Sequence, residues 1–123
     1  MRIAVYGRLI HKEAIPYIQE LFDLLAARNI DFYIYEKYYA HLIKNIRFGS
    51  TPKTFSSIDA QGLHETDYML SLGGDGTLLD TITLVQDSNI PILGINIGRL
   101  GFLAGISKDE IKACIDALES RSY

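Results

Sequence analysis

Four short apolar stretches, at 2–6, 31–36, 68–72 and 91–95, recur along the chain with segments of helical character between them. Each has the length of a buried strand, and 2–6 is rich in β-branched and aromatic residues. After the first, Ala14, Ile18, Leu21, Phe22, Leu25 and Ala26 return every three or four residues, which predicts a helix over 11–28. Pro16 falls in or near its first turn and Asn29 is the expected stop. Residues 37–45 predict a shorter helix, 77–85 a third, and 108–120 a last one with Ser107 and Glu110 as a capping box. Residues 47–62 follow neither period and read as a loop. The order β-α-β-α-β-α-β-α predicts an α/β domain, a Rossmann-like open parallel sheet with alternating helices, because parallel neighbours need long crossovers.

Composition narrows the function classes. A chain of 123 residues is one domain of ordinary size, and 48% apolar with 22% charged residues excludes a disordered chain. A spanning helix needs about 20 consecutive apolar residues, and the longest apolar runs are far shorter, so no membrane partner is expected. The opening Met1-Arg2-Ile3-Ala4-Val5-Tyr6-Gly7 is too short for a signal peptide, which points to the cytoplasm. A net charge of −3 without a basic block argues against a nucleic-acid partner. The single cysteine, Cys114, excludes an internal disulfide framework, and its helical face with Ile111, Ile115 and Leu118 assigns it to the core. His11, His41 and His64 have no metal-ligand spacing, so no metal ligand set is read from the residues. The tyrosines between 33 and 39 are expected to cover the sheet.

Two loops leave strands at the edge where ligands bind in open parallel sheets, outside the carboxyl ends of the strands. The first is Gly73-Gly74-Asp75-Gly76-Thr77. Its glycines permit close approach by a ligand, and the loop opens a helix whose free N–H groups can bind an anion. A carboxylate there would repel phosphate. Asp75 therefore either helps hold a magnesium ion that bridges phosphates or takes a proton from a hydroxyl nucleophile; a plain helix cap is the third possibility. The second loop, Asn96-Ile97-Gly98-Arg99-Leu100-Gly101-Phe102-Leu103, sets two large apolar side chains between tight turns. Leu100 and Phe102 can cover the core or wall a planar ring, Asn96 offers a donor and an acceptor, and Arg99 can meet a phosphate. If the third and fourth strands are neighbours, both loops line one crevice.

These two segments resemble the signatures of the NAD kinase family. Leu72-Gly73-Gly74-Asp75-Gly76-Thr77-Leu78-Leu79 is similar to its first signature, which diacylglycerol kinases, sphingosine kinases and phosphofructokinases share. The stretch from Ile92 to Leu103 is similar to its second, which is far more specific. The resemblance implies transfer of the γ-phosphoryl of ATP, in some members of inorganic polyphosphate, to the 2′-hydroxyl of the adenosine ribose of NAD. It implies Asp75 as proton acceptor, Asp75 and Gly76 in contact with NAD, and Gly73 and Gly74 shaping the phosphate-facing loop. Leu100 and Phe102 match positions that line the adenosine pocket, and Thr77, Asn96 and Arg99 complete the binding set. Mg²⁺ or another divalent ion is expected with ATP.

The chain departs from the family pattern in two places. Many members carry a basic residue near the position of Thr83, and this chain has none. The family's β-rich second domain carries an Asn-Glu or Asn-Asp motif, and neither dipeptide occurs. Residues 1–123 are therefore expected to be an N-terminal kinase domain, inactive alone, with Tyr123 at a boundary and a homo-oligomer at full length. Two other readings stand beside this one. A lipid kinase domain rests on 73–77 alone, and a non-catalytic nucleotide-binding module rests on the missing half of the site.

Overall fold

The central strand β1 (Arg2–Gly7) is flanked by β2 (Asp31–Tyr35) on one side and β4 (Tyr68–Leu72) on the other. Outside these lie β3 (Lys53–Phe55), paired with β2, and β5 (Ile92–Ile95), paired with β4. All four pairings are parallel, and the strand order is β3-β2-β1-β4-β5. The helices are α1 (Ile15–Ala27), α2 (Glu36–Leu42), α3 (Asp75–Val85) and α4 (Lys108–Ser120). The computed structural model describes residues 1–8, 10, 12–58, 63–73, 75–85, 88–95 and 108–120, with backbone alone at 64, 75, 108 and 109.

Strand alternation sorts the core onto two faces. Ile3 and Val5 of β1, with Tyr68, Leu70 and Leu72 of β4, face a cluster that holds Ile18, Leu21, Phe22 and Leu25 of α1 and Ile111, Ile115 and Leu118 of α4. Ala4 and Met69 face the opposite cluster, with Val85 of α3 and Phe55 of β3. The expected parallel α/β sheet is therefore present, and its central strands are buried on both faces, as near-continuous apolar runs require.

Local signals act as read. Pro16 sits in the first turn of α1. Asn29 takes φ +55° just past its end, where the Asn29 N–H donates to the Ala26 carbonyl and the Ile30 N–H to the Leu25 carbonyl. Two expectations are corrected. The 47–62 loop contains β3, whose three residues are too few to show a period and of which only Phe55 is buried. The third helix starts at Asp75, two residues before Thr77, so that Asp75 and Gly76 belong to its first turn. The expected cap at Ser107 lies outside the described residues. Among the described residues no helix is long and apolar enough to cross a membrane.

The expected tyrosine cover is present. Tyr35 packs tilted against Tyr6 and edge-on against Phe55, at 5.0 and 5.7 Å between ring centroids, and Tyr38 is fully buried. Burial without compensating charge pushes the Tyr38 phenol well above its ordinary value. Cys114 is half-buried at the margin of the α4 face, and burial raises its thiol likewise, first by desolvation and then through Glu110.

Candidate functional site at the sheet switch point

The direction in which strands are added across the sheet reverses between β1 and β4. From β1 the chain builds outward through β2 and β3, and then returns to lay β4 and β5 on the other side. Open α/β sheets bind ligands at such a switch point, outside the carboxyl ends of the strands. Here Gly7, Leu72 and Ile95 lie in one register row across β1, β4 and β5. Whatever follows each of them is brought to the same edge.

After Leu72 comes Gly73, with φ +145°, a backbone region that L side chains rarely adopt. A Cβ there would lie 2.6 Å from Thr77 Oγ1, so the turn closes on itself with no room for a side chain. The Gly73 N–H donates to the Ile95 carbonyl at 3.0 Å, which ties the exit of β4 to the exit of β5. The condition set from the sequence, that the strands preceding the 73–77 and 96–102 segments be neighbours, is met by the pairing of β4 with β5. Thr77 is buried against this turn, and Gly76 is exposed. The backbone of Asp75 opens α3. Gly74, Asn96, Arg99, Leu100 and Phe102 lie outside the described residues.

A cluster on β4 and α3 braces the turn from beneath. Thr81 Oγ1 lies 2.8 Å from Ser71 Oγ and 2.8 Å from the Thr77 carbonyl oxygen, and both Thr81 and Ser71 are buried. The second turn of α3 is thereby fastened to the strand that leads into the glycines.

The sequence reading passed over Arg8. It follows Gly7 at the end of β1, on the other wall of the switch point. Its Nε lies 3.3 Å from Asp80 Oδ2 in α3, and its Nη1 lies 3.3 Å from where a Cβ on Gly76 would stand. The Tyr6 hydroxyl reaches the same Asp80 oxygen at 3.5 Å. Burial, and then the Asp80 charge, raise the Tyr6 phenol above its ordinary value, so it stays protonated and donates. Gly7 itself packs beneath Tyr38, whose ring carbons would stand 2.5 Å from an added Cβ. One sequence signal could have marked Arg8: a strand followed by glycine and then a cation at the edge where the other glycine loop was already placed.

A groove of about 450 Å³ lies at the opposite end, beside Asp31 at the start of β2, lined by Phe22, Phe32, Arg47 and Phe48. The Phe22 ring packs on Phe32 and Phe48 at 5.5 and 5.2 Å between centroids. It shares no residue with the switch point.

Fold and site together define an open, doubly wound α/β domain with a glycine turn at its switch point. The family model of the ATP-NAD kinase N-terminal domain matches residues 3–123, and the chain belongs to the NAD kinase family. It is 43% identical to an NAD kinase of Cytophaga hutchinsonii and 41% identical to one of Flavobacterium psychrophilum, in each case over its whole length and over 42% of the relative. The crystal structure of yeast NADH kinase complexed with NADH superposes with a TM-score of 0.72 at 18% identity, covering 98% of this chain and 38% of that one. That likeness concerns the fold. The chain thus spans less than half the length of the curated relatives it matches.

Proposed function

We propose that this chain carries the glycine-turn half of an NAD kinase, which transfers the γ-phosphoryl of ATP to the 2′-hydroxyl of the adenosine ribose of NAD to give NADP. The observation that supports it most is the 73–77 turn at the switch point, with family membership behind it. In this reading Asp75 takes the proton from the 2′-hydroxyl as its oxygen attacks phosphorus. The new bond forms from ribose oxygen to phosphorus, and the bond from phosphorus to the departing ADP oxygen breaks. Gly73, Gly74, Gly76 and Thr77 shape the wall on which the phosphates lie. Asn96, Arg99, Leu100 and Phe102 are assigned to the nucleotide pocket from the neighbouring strand exit.

Magnesium belongs to this proposal. Among the described residues no three His, Cys, Asp or Glu side chains gather to hold a metal ion. Mg²⁺ in phosphoryl-transfer sites needs no such cage, being held by one or two carboxylates, water and substrate phosphates. With Asp75 assigned to the proton, the ion would be held chiefly by the substrate phosphates and water. When bound, the ion neutralises charge on the donor phosphates.

Because the chain spans 42% of its curated relatives, we assign the rest of the NAD pocket to a β-rich second domain of a longer, cytoplasmic, homo-oligomeric protein. The test is NADP formation from NAD and MgATP by the full-length protein, read with a dehydrogenase selective for NADP, with polyphosphate and NADH as alternative substrates. NADP from the full-length protein and none from residues 1–123 is expected. Phosphorylation of diacylglycerol without NADP would overturn the reading.

A further inference from the structure

We propose that Arg8 supplies, from β1, the positive charge that faces the phosphoryl group in transfer. This deepens the NAD kinase reading and rests on it. Phosphoryl transfer depends on positioning and on charge set against the developing anion. The helix that opens with the glycine turn, Asp75-Gly76-Thr77-Leu78-Leu79-Asp80-Thr81-Ile82-Thr83-Leu84-Val85, contains no lysine or arginine. A side-chain cation facing the turn would then come from another element.

Arg8 is placed to do so. The Gly7–Leu72 register sets it across the switch point from the turn. Asp80 holds Nε at 3.3 Å, and the Nη1 end lies against Gly76, 3.3 Å from its absent Cβ. A guanidinium carries five N–H donors in a rigid fork, and the Asp80 pairing is made through Nε. The side chain is 54% exposed, so a phosphate can reach it. Gly76 leaves the space beside Nη1 open. Asp80 is thereby a positioning residue, one turn along α3, that aims the fork toward the turn.

The experiment compares the full-length wild type with Arg8→Ala, Arg8→Lys and Asp80→Asn, varying MgATP and NAD separately and recording thermal midpoints. We expect Arg8→Ala to lower kcat/KM for MgATP at least about tenfold while KM for NAD stays within about twofold. Arg8→Lys should recover part of the loss, since it keeps the charge but not the fork. Asp80→Asn should lose less than Arg8→Ala. An active wild type with Arg8→Ala inside about twofold of it overturns the inference alone. So do equal kinetic losses in Arg8→Ala and Asp80→Asn accompanied by equal drops in midpoint, the signature of a merely structural pair. A wild type that makes no NADP overturns the kinase reading, and this inference with it.

Discussion

Ser71 and Thr81 meet hydroxyl to hydroxyl at 2.8 Å, buried between β4 and α3. Thr81 has one proton, and the Thr77 carbonyl 2.8 Å away can only accept, so that proton goes to the carbonyl and Ser71 donates to Thr81. Thr81→Val keeps the shape but strands the Ser71 proton, at a cost of about 1–3 kcal/mol. Combining it with Ser71→Ala should cost less than the sum of the two single changes, because the pair acts as a unit. Urea unfolding of the four proteins measures this, and strict additivity would refute the coupling.

Gly73 and Gly76 flank the same turn yet should respond oppositely to alanine. At Gly73 the new methyl meets Thr77 Oγ1 at 2.6 Å on a backbone of φ +145°. The expected loss is about 1–3 kcal/mol, and adding Thr77→Ala, which removes the hydroxyl that the methyl meets, should not restore it, since the backbone strain remains. At Gly76 the methyl meets only the end of the flexible Arg8 side chain, at 3.3 Å. Alanine also favours the helix by about 0.5–1 kcal/mol, so stability should hold or rise. Thermal melts of Gly73→Ala and Gly76→Ala decide it.

The parallel sheet and its chemistry-bearing edge were legible because β1 and β4 are short apolar runs closed by glycine, with Gly73 directly after Leu72. β3 was not legible. Lys53-Thr54-Phe55 buries one side chain well, and its identity as a strand comes from pairing with Tyr33, Ile34 and Tyr35. Nor was Arg8, which in sequence is one cation after one glycine. Its relation to Gly76 exists only once β1 is inserted between β2 and β4, and strand order is a property of tertiary packing that local periods do not carry. Alternation sets Ile3 and Val5 on one face of β1 and Ala4 on the other, and the burial of both faces is likewise a product of tertiary packing.

Arg28 clamps the end of α1 to α4 through Asp116 and, at 2.7 Å, through Glu119. The hydrogen bond from Arg28 holds the Asp116 carboxyl below its ordinary value. A carboxylate depressed in the folded state adds stability above its unfolded pKa of about 3.9 and loses it as pH falls through the folded value. Arg28→Met should therefore be less stable than wild type at neutral pH, and the gap should close as pH falls below about 4. High salt should narrow it too. Urea midpoints across pH provide the check, and a gap that persists at pH 2 would assign the effect to packing of the arginine stem.

Asp75→Asn in the full-length protein separates chemistry from binding. Asparagine keeps the size of the side chain and its capacity to accept a hydrogen bond, but it cannot take a proton. If Asp75 is the base for the ribose hydroxyl, kcat should fall by about 10²–10⁴, while the Kd for NAD measured by calorimetry changes less than about threefold. The backbone at 75 opens α3 with or without the charge, and asparagine still caps a helix start well, so the fold should survive. Turnover within a few-fold of wild type would remove Asp75 from the base role. A joint loss of turnover and NAD affinity would make it a binding residue instead.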